Sequence, residues 1–142
     1  MVTVINAEGL VAGRLGSMVA KRLLQGEEIA IINSEKAVVS GSRDAILEQY
    51  RWKRDVGTRR MGPFFPRMPD RLLKRTIRGM MDYQKPTGRL AFKRLKCYIG
   101  VPREFAKATP EALAKASGER LPRSMTLGDI SRELGAKFQV KA

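Results

Sequence analysis

Arg71, Lys74, Arg75 and Arg78 stand at i, i+3, i+4 and i+7, a spacing that gathers four cations on one face of a helix. Cations grouped this way neutralise phosphates, and a guanidinium grips a phosphate with two parallel hydrogen bonds. Arg89, Lys93 and Lys96 repeat the spacing a little further on. Upstream, Arg51, Lys53, Arg54, Arg59, Arg60 and Arg67 run through a stretch that holds Gly57, Gly62, Pro63 and Pro66, and Lys85 and Arg94 complete the set. Aromatic residues are interleaved with these cations. Trp52, Phe64 and Phe65 are candidates for stacking on bases or docking, whereas Phe92 and Tyr98 read as core.

The net charge is +14, and it is concentrated. Residues 51–103 carry 16 basic against 3 acidic side chains (Asp55, Asp70 and Asp82), while residues 1–50 carry 5 against 6 and residues 104–142 carry 7 against 5. A charge run is most often a solvated face, but such a face mixes its signs, because like charges at i, i+4 repel. Self-repulsion on this scale costs stability unless a polyanion is present. Arginine outnumbers lysine 17 to 11, which favours phosphate binding over simple solvation. Nucleic acid is therefore the expected partner, ahead of an anionic membrane surface. No helix-turn-helix, zinc-finger or basic-zipper pattern occurs, and a long basic loop suits the irregular surface of folded RNA.

Other chemistries are excluded or weak. With no His, imidazole-based acid–base catalysis and His metal ligation are absent. The single Cys97 can form neither an internal disulfide nor a Cys-type zinc site, and it reads as a buried core thiol. Residues 1–7 are too short and too soon followed by Glu8 and glycines for a signal peptide, and no run approaches 18 apolar residues. Gly9, Gly13 and Gly16, followed by Glu35 some twenty residues on, invite a rival reading as a nucleotide-binding enzyme. The spacing is G-x-x-x-G-x-x-G rather than G-x-G-x-x-G, and no P-loop Lys-Ser/Thr follows. Glycines that permit a tight turn and close helix–strand packing explain it better, although a helix N-terminus could still take an anion there. No enzyme, cofactor, metal or small-molecule substrate is expected.

The elements that must position the cations follow from periodicity. Residues 2–6 are β-branched and predict a strand, Leu15, Met18, Val19 and Leu23 a helix ending near Gly26, and residues 29–32 a strand covered on both faces. Strand, helix, strand in about thirty residues places the chain in the α/β class, as a single domain over 1–142. Ala37 to Val39 predicts a further short strand, and Ser42 caps a helix carrying Ile46, Leu47 and Tyr50. Residues 53–68 show no period and predict a long basic loop that is functional or disordered. A helix is expected from Pro69 to Arg78, stopped by Gly79, with Leu73, Thr76, Ile77 and Met80 on its inner face. Gly88 to Leu95 predicts another helix, leading into a strand over 96–99. A C-terminal helical segment over 109–142 would start at Thr109-Pro110-Glu111 and end in a helix capped by Thr126 and Asp129 and closed at Gly135.

Several motifs in order carry a resemblance. Asn6-Ala7, Gly13-Arg14-Leu15, Val19-Ala20-Lys21, Ile32-Asn33, Glu35-Lys36 and Ser40-Gly41 lead the chain. Arg75-Thr76-Ile77-Arg78-Gly79-Met80, Gly88-Arg89, Arg94-Leu95-Lys96 and Tyr98-Ile99-Gly100-Val101-Pro102 form a central signature, and Thr126-Leu127-Gly128-Asp129-Ile130 ends it. Over essentially its whole length the sequence resembles the universal large-subunit ribosomal protein family numbered thirteen, in its archaeal and eukaryotic form. Met81-Asp82 departs from the family's usual Leu-Pro and leaves the local turn open. The resemblance implies a small, mainly parallel sheet flanked by helices. It also implies a non-catalytic role in the cytoplasmic ribosome: a monomer binding large-subunit ribosomal RNA, beside neighbouring ribosomal proteins, and supporting subunit assembly. By the matching motifs, Arg75, Arg78, Arg89, Arg94 and Lys96 would contact RNA; the remaining cations are added from the charge pattern.

Overall fold

The parallel sheet forms because its middle strand is apolar throughout. In the computed structural model, which describes residues 1–140, β2 (Glu28–Ile32) lies between β1 (Val2–Asn6) and β4 (Leu95–Cys97), all parallel, in the order β1-β2-β4. Ile29, Ala30, Ile31 and Ile32 are buried from both sides, as a central strand requires. The crossover helix α1 (Ala12–Leu24) buries Leu15, Val19 and Leu23. A second, antiparallel pair joins β3 (Val38–Ser40) to β5 (Ser124–Thr126). The α/β class and the small, mostly parallel sheet flanked by helices are therefore both realised.

Helix α2 (Arg43–Asp55) is capped by Ser42, whose Oγ accepts from the Ala45 N–H at 3.4 Å. It runs further than periodicity predicts, so Lys53 and Arg54 belong to its last turn and the connecting loop starts only at Val56. The apolar row Ile46, Leu47, Tyr50 continues into the Lys53 stem, whose Nζ lies 5.1 Å from the Tyr50 ring centroid. A snorkelling lysine thus ends the hydrophobic signal without ending the helix. The loop also has local structure. Thr58 and Gly62 exchange backbone hydrogen bonds of 3.3 and 3.1 Å, closing a tight hairpin.

Helix α3 (Pro69–Arg78) has the predicted bounds, with Pro69 at its first position. Its inner face differs in detail: Leu72, Leu73 and Ile77 are buried, whereas Met80 lies beyond the helix and is 42% exposed. Thr76 turns its hydroxyl back to donate to the Leu72 carbonyl at 3.0 Å. Helix α4 (Pro86–Lys93) begins and ends two residues earlier than expected, and β4 starts one residue early, at Leu95, and ends at Cys97. Where the family's Leu-Pro is absent, Met81 is buried and the Lys85 N–H donates to the Asp82 carbonyl at 3.0 Å, so the turn forms without a proline. Gly88 is required beside it, since a Cβ there would lie 2.0 Å from the Asp82 carbonyl oxygen.

The helix start at Thr109-Pro110-Glu111 does not form. The Glu111 N–H instead donates to the Val4 carbonyl at 2.8 Å, drawing the chain along β1, while Arg22 takes the Glu111 carboxylate with two 3.0 Å bonds. These partners, distant in sequence, outweigh the local start signal. Among the described residues beyond 109, helical turns occur only at Ala114–Ala116 and in α5 (Leu127–Glu133). The cap of α5 is as expected: Thr126 Oγ1 accepts from the Asp129 N–H at 3.2 Å, and Gly135 follows with φ +91°.

Candidate nucleic-acid interface

Helix α3 is anchored on one side by Leu72, Leu73 and Ile77, which turns Arg71, Lys74, Arg75 and Arg78 outward. None of the four has a carboxylate within ion-pair distance among the described residues. Three rest on aromatic rings instead. Lys74 Nζ lies 5.1 Å from the Phe92 centroid, the Arg78 guanidinium 5.3 Å from Tyr83, and the Arg75 guanidinium 4.7 Å from Phe65. The rings are themselves braced: Tyr83 meets Phe92 edge-on at 5.4 Å, and Phe65 meets Tyr50 at 6.1 Å. A ring face orients a cation and attracts it without cancelling its charge. Pro66 and Phe92 close a shallow depression of about 170 Å³ between the four cations.

Other sequence-predicted residues join this surface. Arg89 Nε donates to the Tyr83 carbonyl at 3.1 Å, with its guanidinium 5.9 Å from the Tyr83 ring. Lys53 Nζ is 5.6 Å from the Phe65 centroid, linking the end of α2 to the same cluster. Lys93 and Lys96 are exposed on α4 and β4. Some cations are engaged elsewhere. Arg94 Nη1 donates to the Leu23 carbonyl at the end of α1, at 3.4 Å. Arg51 pairs with Glu133 at 3.2 Å, Lys85 with Asp82 at 3.2 Å and Arg54 with Asp55 at 2.9 Å. Arg59 and Arg60 are exposed on the loop hairpin, and Arg67, also exposed, accepts through its carbonyl from the Ser131 hydroxyl. Of the stacking candidates, Trp52 and Phe64 are 68% and 72% exposed, whereas Phe65 is the half-buried seat under Arg75. The sequence placed Tyr50 on the packed face of α2 and gave Tyr83 no role; their support of the cations comes from the fold.

The glycine turn offers no comparable site. Gly9 has φ +70° and makes the turn, while Gly16 is the point of close approach between α1 and α3 rather than between helix and strand. A Cβ on Gly16 would lie 3.0 Å from Met80 Sδ and 3.4 Å from Ile77 Cγ1. The cleft of about 370 Å³ beside Gly9 is rimmed by Glu8, Glu111 and Glu119, the first two paired with Lys36 and Arg22, and its lining includes no lysine or arginine to hold a pyrophosphate. Glu35 is buried and spends one carboxylate oxygen on the Gly100 N–H at 3.0 Å, a structural role. Part of Cys97 reaches the surface, yet burial pushes its thiol up to about 12, which leaves it protonated and unreactive. Among the described residues, no group of three or more His, Cys, Asp or Glu side chains could hold a metal ion, and no helix is long and apolar enough to cross a membrane.

The class these features define is a small α/β protein with a surface of unneutralised, aromatic-seated cations. Residues 1–104 match the family model described as ribosomal protein L13. The chain is 51% identical over 138 residues to large ribosomal subunit protein uL13 of Methanococcoides burtonii, covering 96% of this chain and 99% of that one. It is also 51% identical to the protein of the same name from Methanosarcina barkeri (96% and 99% covered) and 46% identical to that from Methanosphaera stadtmanae (97% and 100%). The chain belongs to the ribosomal protein L13 family.

Proposed function

We propose that this protein is a structural, non-catalytic constituent of the large subunit of the cytoplasmic ribosome, and that it holds folded ribosomal RNA mainly through the α3 face and the loop before it. The observation that carries this reading is the state of Arg71, Lys74, Arg75 and Arg78: four outward cations, three on aromatic rings, none with a carboxylate among the described residues. In the absence of a polyanion such an arrangement only repels itself. Arg89, Lys93, Lys96, Arg59, Arg60, Arg67 and Lys53 extend the footprint, and Arg51, Arg54, Lys85 and Arg94 contribute at its margins while paired within the fold. The protein enters the subunit as a monomer beside other ribosomal proteins and supports assembly by neutralising phosphates of RNA segments that would otherwise repel.

Replacing Arg71, Lys74, Arg75 and Arg78 together by Ala tests the assignment. Each lost phosphate contact lowers the slope of log affinity against log salt by roughly 0.7–0.9, so the slope for a large-subunit RNA fragment should fall by about 3 with the circular dichroism unchanged. Unchanged affinity would overturn the reading. Cosedimentation with large subunits through a moderate-salt gradient distinguishes a stoichiometric component from a free-standing RNA-binding regulator.

A further inference from the structure

Helix α2 turns a ridge to solvent that differs from the cationic surface of α3. Its packed row is Ile46, Leu47 and Tyr50, with Ile46 and Leu47 buried. Successive residues advance by about 100° around a helix, so Trp52, two positions after Tyr50, points almost directly away from that row. Glu48 and Gln49 lie one turn before Trp52, and Asp55 and Val56 one turn after it, so all four neighbour it on the outer face. No lysine or arginine stands at those positions. Trp52 is the chain's only tryptophan and is 68% exposed, and Val56 beside it is exposed too.

The four cations of α2 are all engaged within the fold. Arg43 and Arg51 reach the two carboxylate oxygens of Glu133 on α5, at 2.8 and 3.2 Å. Lys53 lies beside the Tyr50 and Phe65 rings, and Arg54 is paired with Asp55 at 2.9 Å. Asp44 and Glu48, by contrast, have no cation within ion-pair distance among the described residues. Phe65, Tyr83 and Phe92 each carry a cation of α3, whereas none lies over the Trp52 ring among the described residues. A phosphate backbone approaching this ridge would meet two uncompensated carboxylates, which repel it.

We propose that this ridge docks a basic protein, whose surface buries Trp52 and sets lysine or arginine against Glu48 and Asp44. A single exposed aliphatic residue calls for no explanation. A bare indole beside unpaired carboxylates does, on a chain whose net charge is +14. Tryptophan is enriched among the few residues that dominate binding between proteins, and charges around such an anchor select the partner and fix its register. Of the two roles open to Trp52 from sequence, stacking on a base and docking, the charge of the ridge favours docking, because a base brings its phosphate with it. The proposal rests on the ribosomal reading above, which sets this chain beside other proteins of the large subunit. It adds the face that holds one of them and the sign of that partner's charge.

Hydroxyl-radical oxidation read by mass spectrometry follows Trp52 in three states: the free full chain, the chain bound to protein-free large-subunit RNA, and the chain in large subunits. Trp52 should be oxidised at the same rate in the first two and about tenfold more slowly in the third, where the partner covers it. Protection by RNA alone, or no protection in the subunit, would overturn the proposal. Glu48→Lys tests the partner's sign: it should leave the salt slope for an RNA fragment unchanged and yet oppose docking. In competition with the wild-type chain for incorporation into large subunits, Glu48→Lys and Trp52→Ala should each fall behind about tenfold. Both side chains are exposed, so circular dichroism should not change. Parity in that competition, or a steeper RNA salt slope for Glu48→Lys, would equally overturn it. If the wild-type chain fails to cosediment with large subunits, the ribosomal reading fails and takes this proposal with it. If it cosediments with Trp52 still open to oxidation, only the docking ridge is lost.

Discussion

Helices α1 and α3 pack against each other at Gly16 and bury similar aliphatic rows, yet Arg22 of α1 and the cations of α3 are held in opposite ways. On α1, Arg22 is consumed by the fold. It holds Glu111 with two bonds of 3.0 Å and Glu27 with one of 2.8 Å, and the Glu111 hydrogen bonds in particular raise its pKa. On α3, Lys74, Arg75 and Arg78 have rings where Arg22 has carboxylates. A carboxylate partner cancels charge and locks a tertiary contact, whereas a ring orients the cation and leaves its charge available. On the proposed reading, it is this difference in partner that separates Arg22 from the α3 cations as an RNA contact.

The sharpest way to break the contrast is to give α3 a partner of the α1 kind. Arg71→Glu places a carboxylate four residues before Arg75, removing one cation and neutralising another. Affinity for an RNA fragment should drop at least tenfold and the salt slope by roughly 1.5–2, while thermal stability rises slightly, by about 0.3 kcal/mol. Filter binding across a salt series together with a melting curve measures both, and an unchanged slope would sink the idea that these cations meet phosphate. The reverse experiment is Arg22→Ala. It leaves Glu111 and Glu27 without their partner at a half-exposed site, so stability should fall by about 1 kcal/mol while the RNA salt slope stays the same. If that substitution flattened the slope instead, α1 would belong to the interface.

The strand that packs under α3 offers a third test, of how well its thiol is shielded. Cys97 packs against the core, and its pKa is raised chiefly by burial, partly opposed by the Lys74 charge. The folded thiol stays protonated up to about 12, against 9.0 for an ordinary exposed thiol. Its contribution to stability is therefore complete below pH 9 and is lost as pH rises towards 12, where only the unfolded chain releases the proton. At pH 10 the loss is about 1 kcal/mol, and Cys97→Ala should remove that part of the alkaline decline in urea titrations. An identical decline in the variant would mean that the thiol ionises as readily in the folded chain as in the unfolded one.

How much of this was legible depended on whether the deciding partner lay nearby in the chain. Pro69, Gly79 and the two-faced pattern between them are local, so the bounds of α3 and its outward cations followed from sequence. The last turn of α2 did not, because the Lys53 stem replaces an apolar residue on the packed row. Thr109-Pro110-Glu111 carries a local helix signal, but Val4 and Arg22, about a hundred residues earlier, claim Glu111. The interface was legible in the same uneven way. Its cations could be enumerated, but whether each would meet a ring or a carboxylate depended on folding, as Arg54 with Asp55 and Arg94 with the end of α1 show.

The smallest expected effect bears most directly on what the rings do. Phe65 lies under the Arg75 guanidinium at 4.7 Å and near Lys53 Nζ at 5.6 Å, and it is propped by Tyr50. Phe65→Leu keeps an apolar group against Tyr50 but removes the ring face, so every charge remains while one arginine loses its seat. A cation–π contact at a half-exposed position is worth roughly 0.5–1 kcal/mol, which corresponds to a two- to fivefold loss of RNA affinity. The salt slope should not move, because the number of phosphates engaged is the same. If the slope fell with the affinity, Arg75 would have left its phosphate altogether and the ring would be a condition of contact. If neither moved, the seat would be incidental, and the contrast between α1 and α3 would reduce to the absence of carboxylates alone.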